Sequence, residues 1–403
     1  MKNLTILGST GSIGRNTLDV LRRRDDCKVF ALVAGRNFDL LASQILEFRP
    51  RLAVVETETV LANLKGRLRE AGLPASQWPD LQFGPEATVH SVEAPEVSFV
   101  MSAIVGVAGL EATYRAVSLG KTVGLANKEV MVASGELVTD CAKAVGAEVI
   151  PVDSEHNGVH QCLRAGRRAD VSRVILTASG GPFRETPLAD LEDVTPAQAL
   201  NHPTWKMGQR ITIDSATMMN KGFEVIEACW LFDLRPAEVE VVIHPQSSVH
   251  AMVEYKDGSV IAQISATDMR MPIQYALTYP DREAAPVPRL DWTTARRWEF
   301  SPPDLDKFRL LKLAYDAQAA GGSATCTLNA ADEIAVGAFL EGELSYLGIS
   351  EVVEETLAEV PVRKPTSIGE VLEIDRESRS AARVAVARRS EAEAKSPRIR
   401  VPL

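Results

Sequence analysis

The feature that most narrows the folds open to this chain lies at its start. An apolar run, Leu4-Thr-Ile-Leu7, meets Gly8-Ser-Thr-Gly11-Ser-Ile-Gly14 and then an amphipathic stretch over 15–23. A strand that turns through glycines straight into a helix opens a βαβ unit, because glycine allows both the tight turn and the close approach of helix to strand. The first N–H groups of such a helix lack partners and the helix dipole favours negative charge there, so the turn suits a pyrophosphate. The spacing is G-x-x-G-x-x-G, a variant of the dinucleotide fingerprint. Further β-branched runs at 29–33, 52–55, 99–101, 122–125 and 148–152 alternate with helical patterns. That alternation predicts a mainly parallel, Rossmann-like α/β sheet over residues 1–150.

The second strand ends at Gly35-Arg36-Asn37, about 20 residues on, where an NAD site would place an acid on the ribose 2′-hydroxyl. A guanidinium matches a 2′-phosphate in charge and donor geometry, so Arg36 favours NADPH over NADH. The bland alternative is a solvated surface arginine.

After residue 150 the pattern changes. Residues 174–177 read as a strand, and alternating runs over 248–255 and 259–265 flank Lys256-Asp257-Gly258, a hairpin signal. Val249, Ala251, Val253 and Tyr255 would share one face. A central α+β catalytic domain over 151–280 is expected. Pro280, Pro286, Pro288, Pro302 and Pro303 mark a linker, placed at 281–305. A C-terminal helical bundle domain, 306–395, should contain helices over 307–320, 325–344, 350–360 and 375–389, with Ser350 and Asp375 as N-caps and a frayed tail from Lys395.

A length of 403 residues exceeds one ordinary core. A net charge of −10 argues against nucleic acid or an anionic membrane as partner, though not against an anionic substrate. The five cysteines (Cys27, Cys141, Cys162, Cys229 and Cys326) are scattered without a C-x-x-C pair and read as reduced thiols. The start is too short for a signal region, and the longest apolar run, 97–109, is well below the roughly 20 residues of a span. A cytoplasmic protein is expected.

Several segments suggest metal and phosphate chemistry. Asp153 and Glu155 stand two apart, so on an extended strand end their carboxylates would point the same way and call for a hard cation. A D-x-E alone is more often a surface pair. Residues 214–228 read as one capped helix, with Met219, Phe223, Ile226 and Trp230 as apolar stripe. Asn220, Glu224 and Glu227 line the neighbouring face, with Lys221 one step round, and Ser215 acts as the cap. This cluster offers phosphate donors and a metal oxygen together. In Ala178-Ser-Gly-Gly-Pro-Phe183 small residues expose a hydroxyl and N–H groups to an oxyanion. The stretch 202–210 carries His202, Trp205 and Met207, is barred from regular helix at Pro203, and is expected to be a lid. A lone histidine such as His202 is more often structural than catalytic.

Together with Ala126-Asn-Lys-Glu129, Asp268-Met-Arg270 and Leu328-Asn-Ala-Ala331, these motifs resemble, in order and over nearly the whole chain, those of the 1-deoxy-D-xylulose 5-phosphate reductoisomerases. The resemblance implies a homodimeric enzyme that uses NADPH and a divalent metal (Mn²⁺, Mg²⁺ or Co²⁺) to rearrange and reduce that sugar phosphate. It implies cofactor contacts at Thr10, Gly11, Ser12, Ile13, Gly35, Arg36, Asn37, Asn127, Glu129 and Gly208. Metal ligands would be Asp153, Glu155 and Glu224. Substrate contacts would be Lys128, Ser154, Glu155, Ser179, His202, Ser215, Asn220, Lys221 and Glu224, and catalysis would fall to Lys128, His202 and the three metal ligands. Two departures stand out: Arg36 where many relatives have lysine, and Asp332 where asparagine is common. Two rivals are an NADPH dehydrogenase of another phosphorylated substrate, which needs no carboxylate triad, and a non-catalytic NADPH sensor, which needs neither the triad nor Lys128.

Overall fold

The structure, a computed structural model, describes residues 1–203 and 207–395. Its N-terminal region is a parallel sheet of seven strands: β1 (Lys2–Leu7), β2 (Cys27–Val33), β3 (Leu52–Val55), β4 (Asp80–Phe83), β5 (Phe99–Ser102), β6 (Thr122–Leu125) and β7 (Val149–Pro151). The order is β4-β3-β2-β1-β5-β6-β7. The helices between them are α1 (Ser12–Leu21), α2 (Phe38–Phe48), α3 (Glu58–Glu70), α4 (Gly84–His90), α5 (Leu110–Ser118) and α6 (Lys128–Val145). β3 and β5 are buried along their whole length, as strands covered on both faces must be. The chain runs outward in opposite directions from β1, so a crevice opens beyond the carboxyl ends of β1 and β5, where doubly wound sheets bind ligands.

Between the two regions lies α7 (Ser154–Cys162), followed by β8 (Val171–Ala178), α8 (Pro196–Ala199), α9 (Gln209–Ala216), α10 (Met219–Phe232), β9 (Val239–Ile243), β10 (Val249–Tyr255), β11 (Val260–Ile264) and α11 (Arg270–Thr278). The four strands form a sheet in the order β11-β10-β8-β9, with β10 antiparallel to both neighbours and β8 parallel to β9. Val159 of α7 and Val225, Ala228 and Cys229 of α10 cover its apolar face. The expected hairpin is present. Gly258 takes φ +85° and Asp257 Oδ1 accepts from Ser259 N at 2.9 Å.

The stretch from Tyr279 to Phe308 contains neither helix nor named strand, and one bridge, Ile243 to Ser301, ties it to β9. The C-terminal helices are α12 (Arg309–Ala320), α13 (Ala324–Leu340), α14 (Tyr346–Glu359) and α15 (Ile368–Lys395). They do not form an isolated bundle. Leu328, Ala331 and Ala335 of α13 share one core with Ile213 of α9, Phe223 and Ile226 of α10 and Val132 of α6.

Several expectations need correction. β4 and β9 went unread because four or five residues with polar members carry too little pattern. Ser350 lies inside α14, where its hydroxyl donates to Leu347 O; the cap is Ser345, which accepts from Gly348 N at 3.1 Å. Asp375 is likewise interior, paired with Arg379, and α15 starts earlier, where Ser367 Oγ accepts from Glu370 N. The segment 214–228 is two helices rather than one. Met218 adopts φ +64° between α9 and α10 and turns the chain. Ser215 is therefore in the last turn of α9 and caps nothing. The tail beyond Lys395 lies outside the described residues.

Candidate active site

The glycine turn positions the first wall. A Cβ at Gly14 would come within 2.3 Å of Gly8 O, so only glycine lets α1 sit this close to β1. Gly11 precedes α1 without a side-chain cap, which leaves the first-turn N–H groups for an anion. Gly11, Ser12 and Ile13 line a cavity of about 720 Å³, ample for a cofactor beside a small substrate.

Across the cavity, α6 and α10 bring the catalytic groups together. They pack closely because Gly135 in α6 leaves room for the Trp230 indole; a Cβ there would be 2.2 Å from the ring. Lys128, at the start of α6, is thereby held against α10. Its Nζ donates to Asn220 Oδ1 at 2.8 Å, lies 3.4 Å from Glu224 Oε1 and pairs with Asp153. Asp153 and Glu155 do converge, though not by strand alternation. Asp153 caps α7, accepting from Ser154 N at 3.0 Å, and Glu155 sits in the first turn of that helix. Lys221 Nζ donates to Glu155 Oε1 at 3.1 Å and to Glu224, while Asn220 Nδ2 donates to Glu224 Oε1 at 2.6 Å.

The charges in this cluster do not balance. Asp153, Glu155 and Glu224 each offer an oxygen within 4.8 Å of the others, and Glu227 lies just behind, 3.2 Å from His156 Nδ1. Four carboxyls thus face two ammonium groups, Lys128 and Lys221, and a divalent cation would cancel the remainder. Burial, reinforced by Glu155, pushes Glu224 up to about 7, as expected of a carboxylate short of positive charge. Burial also opposes the charge on Lys128, but Asp153, Glu224 and Glu227 outweigh it and hold its ammonium well above the ordinary lysine range. Three hard oxygen ligands on two rigid helix starts fit Mg²⁺ or Mn²⁺.

A second cluster forms the phosphate side. His202 Nε2 lies 3.2 Å from Ser179 Oγ and 3.1 Å from Ser215 Oγ. Ser179 is presented by the end of β8, Ser215 by α9. Burial, helped by Arg184, lowers the His202 imidazole from its ordinary value. Gly180 and Gly181 both have positive φ, and Gly181 N points at Ser179 Oγ, 3.3 Å away. With Asn220 and Lys221 facing the same cavity, the set supplies hydroxyls, an amide and a cation to an oxyanion.

Every substrate residue expected from the sequence lines this one cavity, as do Asp153, Asn127, Glu129 and Gly208. The buried Asn127 donates to Gly106 O at 2.9 Å and leaves its Oδ1 unpartnered, a free acceptor for a ligand amide such as that of nicotinamide. Glu129 accepts from Gly106 N at 3.2 Å. Thr10 belongs to the turn but not to the wall. Gly35, Arg36 and Asn37 stand at the end of β2, apart from the wall. There Asn37 caps α2 through Leu40 N, and Arg36 is largely exposed and paired with Glu56 at 3.0 Å.

The expected lid falls partly outside the described residues, which omit Thr204, Trp205 and Lys206. Its C-terminal end is not hinge-like. Gln209 and Arg210 begin α9, and Arg210 lies 3.0 Å from Glu333. Sequence reasoning missed Arg210, Asp214, Ser247 and His250, all in the cavity wall. His250 is buried on the side of β10 opposite Ala251, with Nε2 unpartnered. The one signal for it was a histidine at a position where alternation calls for a solvated residue.

Residues 4–135 match the sequence profile of 1-deoxy-D-xylulose 5-phosphate reductoisomerase, and 149–232 and 264–381 match profiles for C-terminal domains of the same enzyme. A relative of that name from Solibacter usitatus (strain Ellin6076) is 69% identical over 384 residues, 95% of this chain and 97% of its own. The solved reductoisomerase from Zymomonas mobilis in complex with NADPH has a TM-score of 0.89 at 42% identity, covering 96% of this chain and 99% of that one. A solved DOX-P reductoisomerase in complex with NADPH, fosmidomycin and magnesium has a TM-score of 0.88 at 38% identity, covering 96% and 98%. With the glycine turn, the carboxylate triad and the phosphate cluster on one cavity, these matches settle the family: the chain belongs to the 1-deoxy-D-xylulose 5-phosphate reductoisomerases.

Proposed function

We propose that the chain converts 1-deoxy-D-xylulose 5-phosphate and NADPH to 2-C-methyl-D-erythritol 4-phosphate and NADP⁺, an early step of isoprenoid precursor synthesis. The observation that carries this reading is a single cavity joining a dinucleotide turn to three convergent carboxylates interlocked with Lys128 and Lys221. A simple dehydrogenase has no use for the triad, and a sensor has no use for the lysines.

A divalent cation held by Asp153, Glu155 and Glu224 would supply Lewis-acid polarisation of substrate oxygens, and NADPH the hydride. The chain's own residues do the rest. Lys128, held at the cavity wall against Asp153 and Asn220, donates to an oxyanion. Ser179, Ser215, Asn220, Lys221 and His202 hold the phosphate, which orients the reacting carbons. Asn127, Glu129, Gly208 and the turn from Thr10 to Ile13 seat the cofactor, with Gly35, Arg36 and Asn37 at its 2′-phosphate end.

In this reading residues 1–150 bind NADPH, 151–280 hold metal and substrate, 281–305 link and 306–395 brace the site. A cytoplasmic location is part of this reading; among the described residues no helix is long and apolar enough to cross a membrane. A homodimer is also inferred. β11 is an edge strand exposing Val260 and Ile261, and an exposed apolar edge invites a partner. Carbon NMR of the product made from substrate, NADPH and Mn²⁺ tests the function. A branched alcohol supports it, a linear alcohol would indicate the dehydrogenase, and no turnover the sensor.

A further inference from the structure

Behind the phosphate wall lies a buried cluster that the reaction as described does not use. Arg210, on the first turn of α9, reaches toward Glu129 of α6 (3.4 Å), Asp214 of α9 (3.8 Å), and Asp332 (3.7 Å) and Glu333 (3.0 Å) of α13. Arg379 of α15 pairs with Glu333 at 2.8 Å and with Asp375 at 2.7 Å. Five carboxyls therefore face two guanidinium groups, with Lys128 acting on Asp214 from the cavity side.

Within the cluster, the Asp214 and Asp332 carboxyls lie on one guanidinium, 3.8 and 3.7 Å from Arg210. Both residues are buried, and Oδ1 of Asp214 and both oxygens of Asp332 have no hydrogen-bond partner. Arg210 is already shared with Glu129 and Glu333 and cannot neutralise both in a buried site, so one of the two holds a proton that the other, an acceptor only when ionised, can share. Asp214 also lines the cavity and is followed directly by Ser215. On the other side, Asn329 of α13 accepts from Arg210 Nη2 at 3.1 Å.

We propose that Asp332 is a positioning residue for the phosphate pocket: by sharing one proton with Asp214 it fastens α13 to the helix that presents Ser215. Burial pushes Asp214 up to about 6, and burial with the charge of Asp214 pushes Asp332 well above the usual carboxylate range. A carboxyl whose folded value is raised holds a proton that the unfolded chain gives up at lower pH, so its contribution to stability declines as pH rises. When the shared proton leaves, two adjacent buried charges repel with Arg210 as their nearest counterion. The α9–α13 contact then loosens and the pocket loses its set.

This rests on Ser215 contacting the substrate phosphate. The test uses the Mn²⁺-loaded enzyme and Asp332→Asn, whose amide is a permanent donor to Asp214. The Michaelis constants for the sugar phosphate and for NADPH, and the melting temperature, are measured from about pH 7 to 9. The ratio of the substrate constant at the two ends should be at least about fivefold larger in the wild type than in the variant. The NADPH constant should change alike in both, and the wild type alone should lose melting temperature with pH. Superimposable profiles for the substrate constant or for melting overturn the proposal. If Asp332→Asn fails to fold, Asp214→Asn, which offers the same amide from the other side, must flatten the melting profile or the proposal falls. Absence of turnover in the wild type at every pH would count against the reductoisomerase reading itself, and the melting profiles would still decide the role of Asp332.

Discussion

Glu224→Gln separates two roles of a buried carboxylate, ligand and counterion. Removing one member of a buried ion pair ordinarily costs about 3–5 kcal/mol because it strands a charge. Here nothing is stranded: Lys128 keeps Asp153 and Lys221 keeps Glu155. The substitution instead removes the like charge that Glu224 presents to Glu155. Burial and that repulsion raise Glu224 from 4.5 to about 7. A folded carboxyl raised above its unfolded value loses stability as pH climbs between those two values, and at about 1.4 kcal/mol per unit the loss has an upper bound of about 3 kcal/mol. The metal-free Gln variant should therefore be as stable as wild type at about pH 8, or more stable by up to about 3 kcal/mol. Its Mn²⁺ affinity should nevertheless fall at least about tenfold, since even partners one step removed from a metal are worth that much.

Urea denaturation with and without Mn²⁺, paired with electron paramagnetic resonance titration of the metal, reads both quantities. A metal-free variant less stable by about 3 kcal/mol or more would mean that Glu224 anchors the lysines and that the charge count is wrong. Wild-type Mn²⁺ affinity in the variant would remove Glu224 from the ligand set.

Other substitutions probe the remaining walls. Arg36→Glu should weaken NADPH at least about tenfold more than NADH in fluorescence titrations, because it reverses a charge that only the 2′-phosphate needs; equal loss of both cofactors would leave Arg36 a surface residue. Ser215→Ala should raise the substrate Michaelis constant about tenfold with a smaller effect on turnover number, since one hydrogen bond to a charged group is removed; an unchanged constant would take Ser215 out of the phosphate site. Gly135→Ala forces a methyl into the Trp230 ring and should cost about 1–3 kcal/mol together with activity. Adding Trp230→Leu should recover both, and failure to recover would show that α6–α10 spacing does not set Lys128 against Glu224.

What could be read from the sequence follows the range of the interaction involved. The turn over 8–14 needs only its own strand and helix, and its glycines record that close contact. The parallel sheet and the Asp257-Gly258 hairpin were legible for the same reason. Asp153 and Glu155 were found as a pair, yet the geometry behind them was misread, because the strand ends at Pro151 and Asp153 turns into a cap. The break at Met218 carries no local mark: a bulky residue at positive φ is disfavoured on its own, and it is held by burial of Met218 in the cavity wall and of Met219 in the core that α10 shares with α9 and α12.

Electrostatics was the least legible layer. Asp332 stood out only as a departure from the asparagine common at its position. Folding brings it from α13 to the back of Asp214, on α9, and Arg210 closes the gap. Motifs name the groups that touch ligands because those groups cluster in the chain. The charges that tune them come from helices far apart in sequence, and a single carboxyl there changes nothing in the motif while changing what surrounds it. Asp332→Asn therefore tests more than one side chain. If it flattens the pH dependence of substrate binding, a residue outside every recognised motif sets how the motif residues perform.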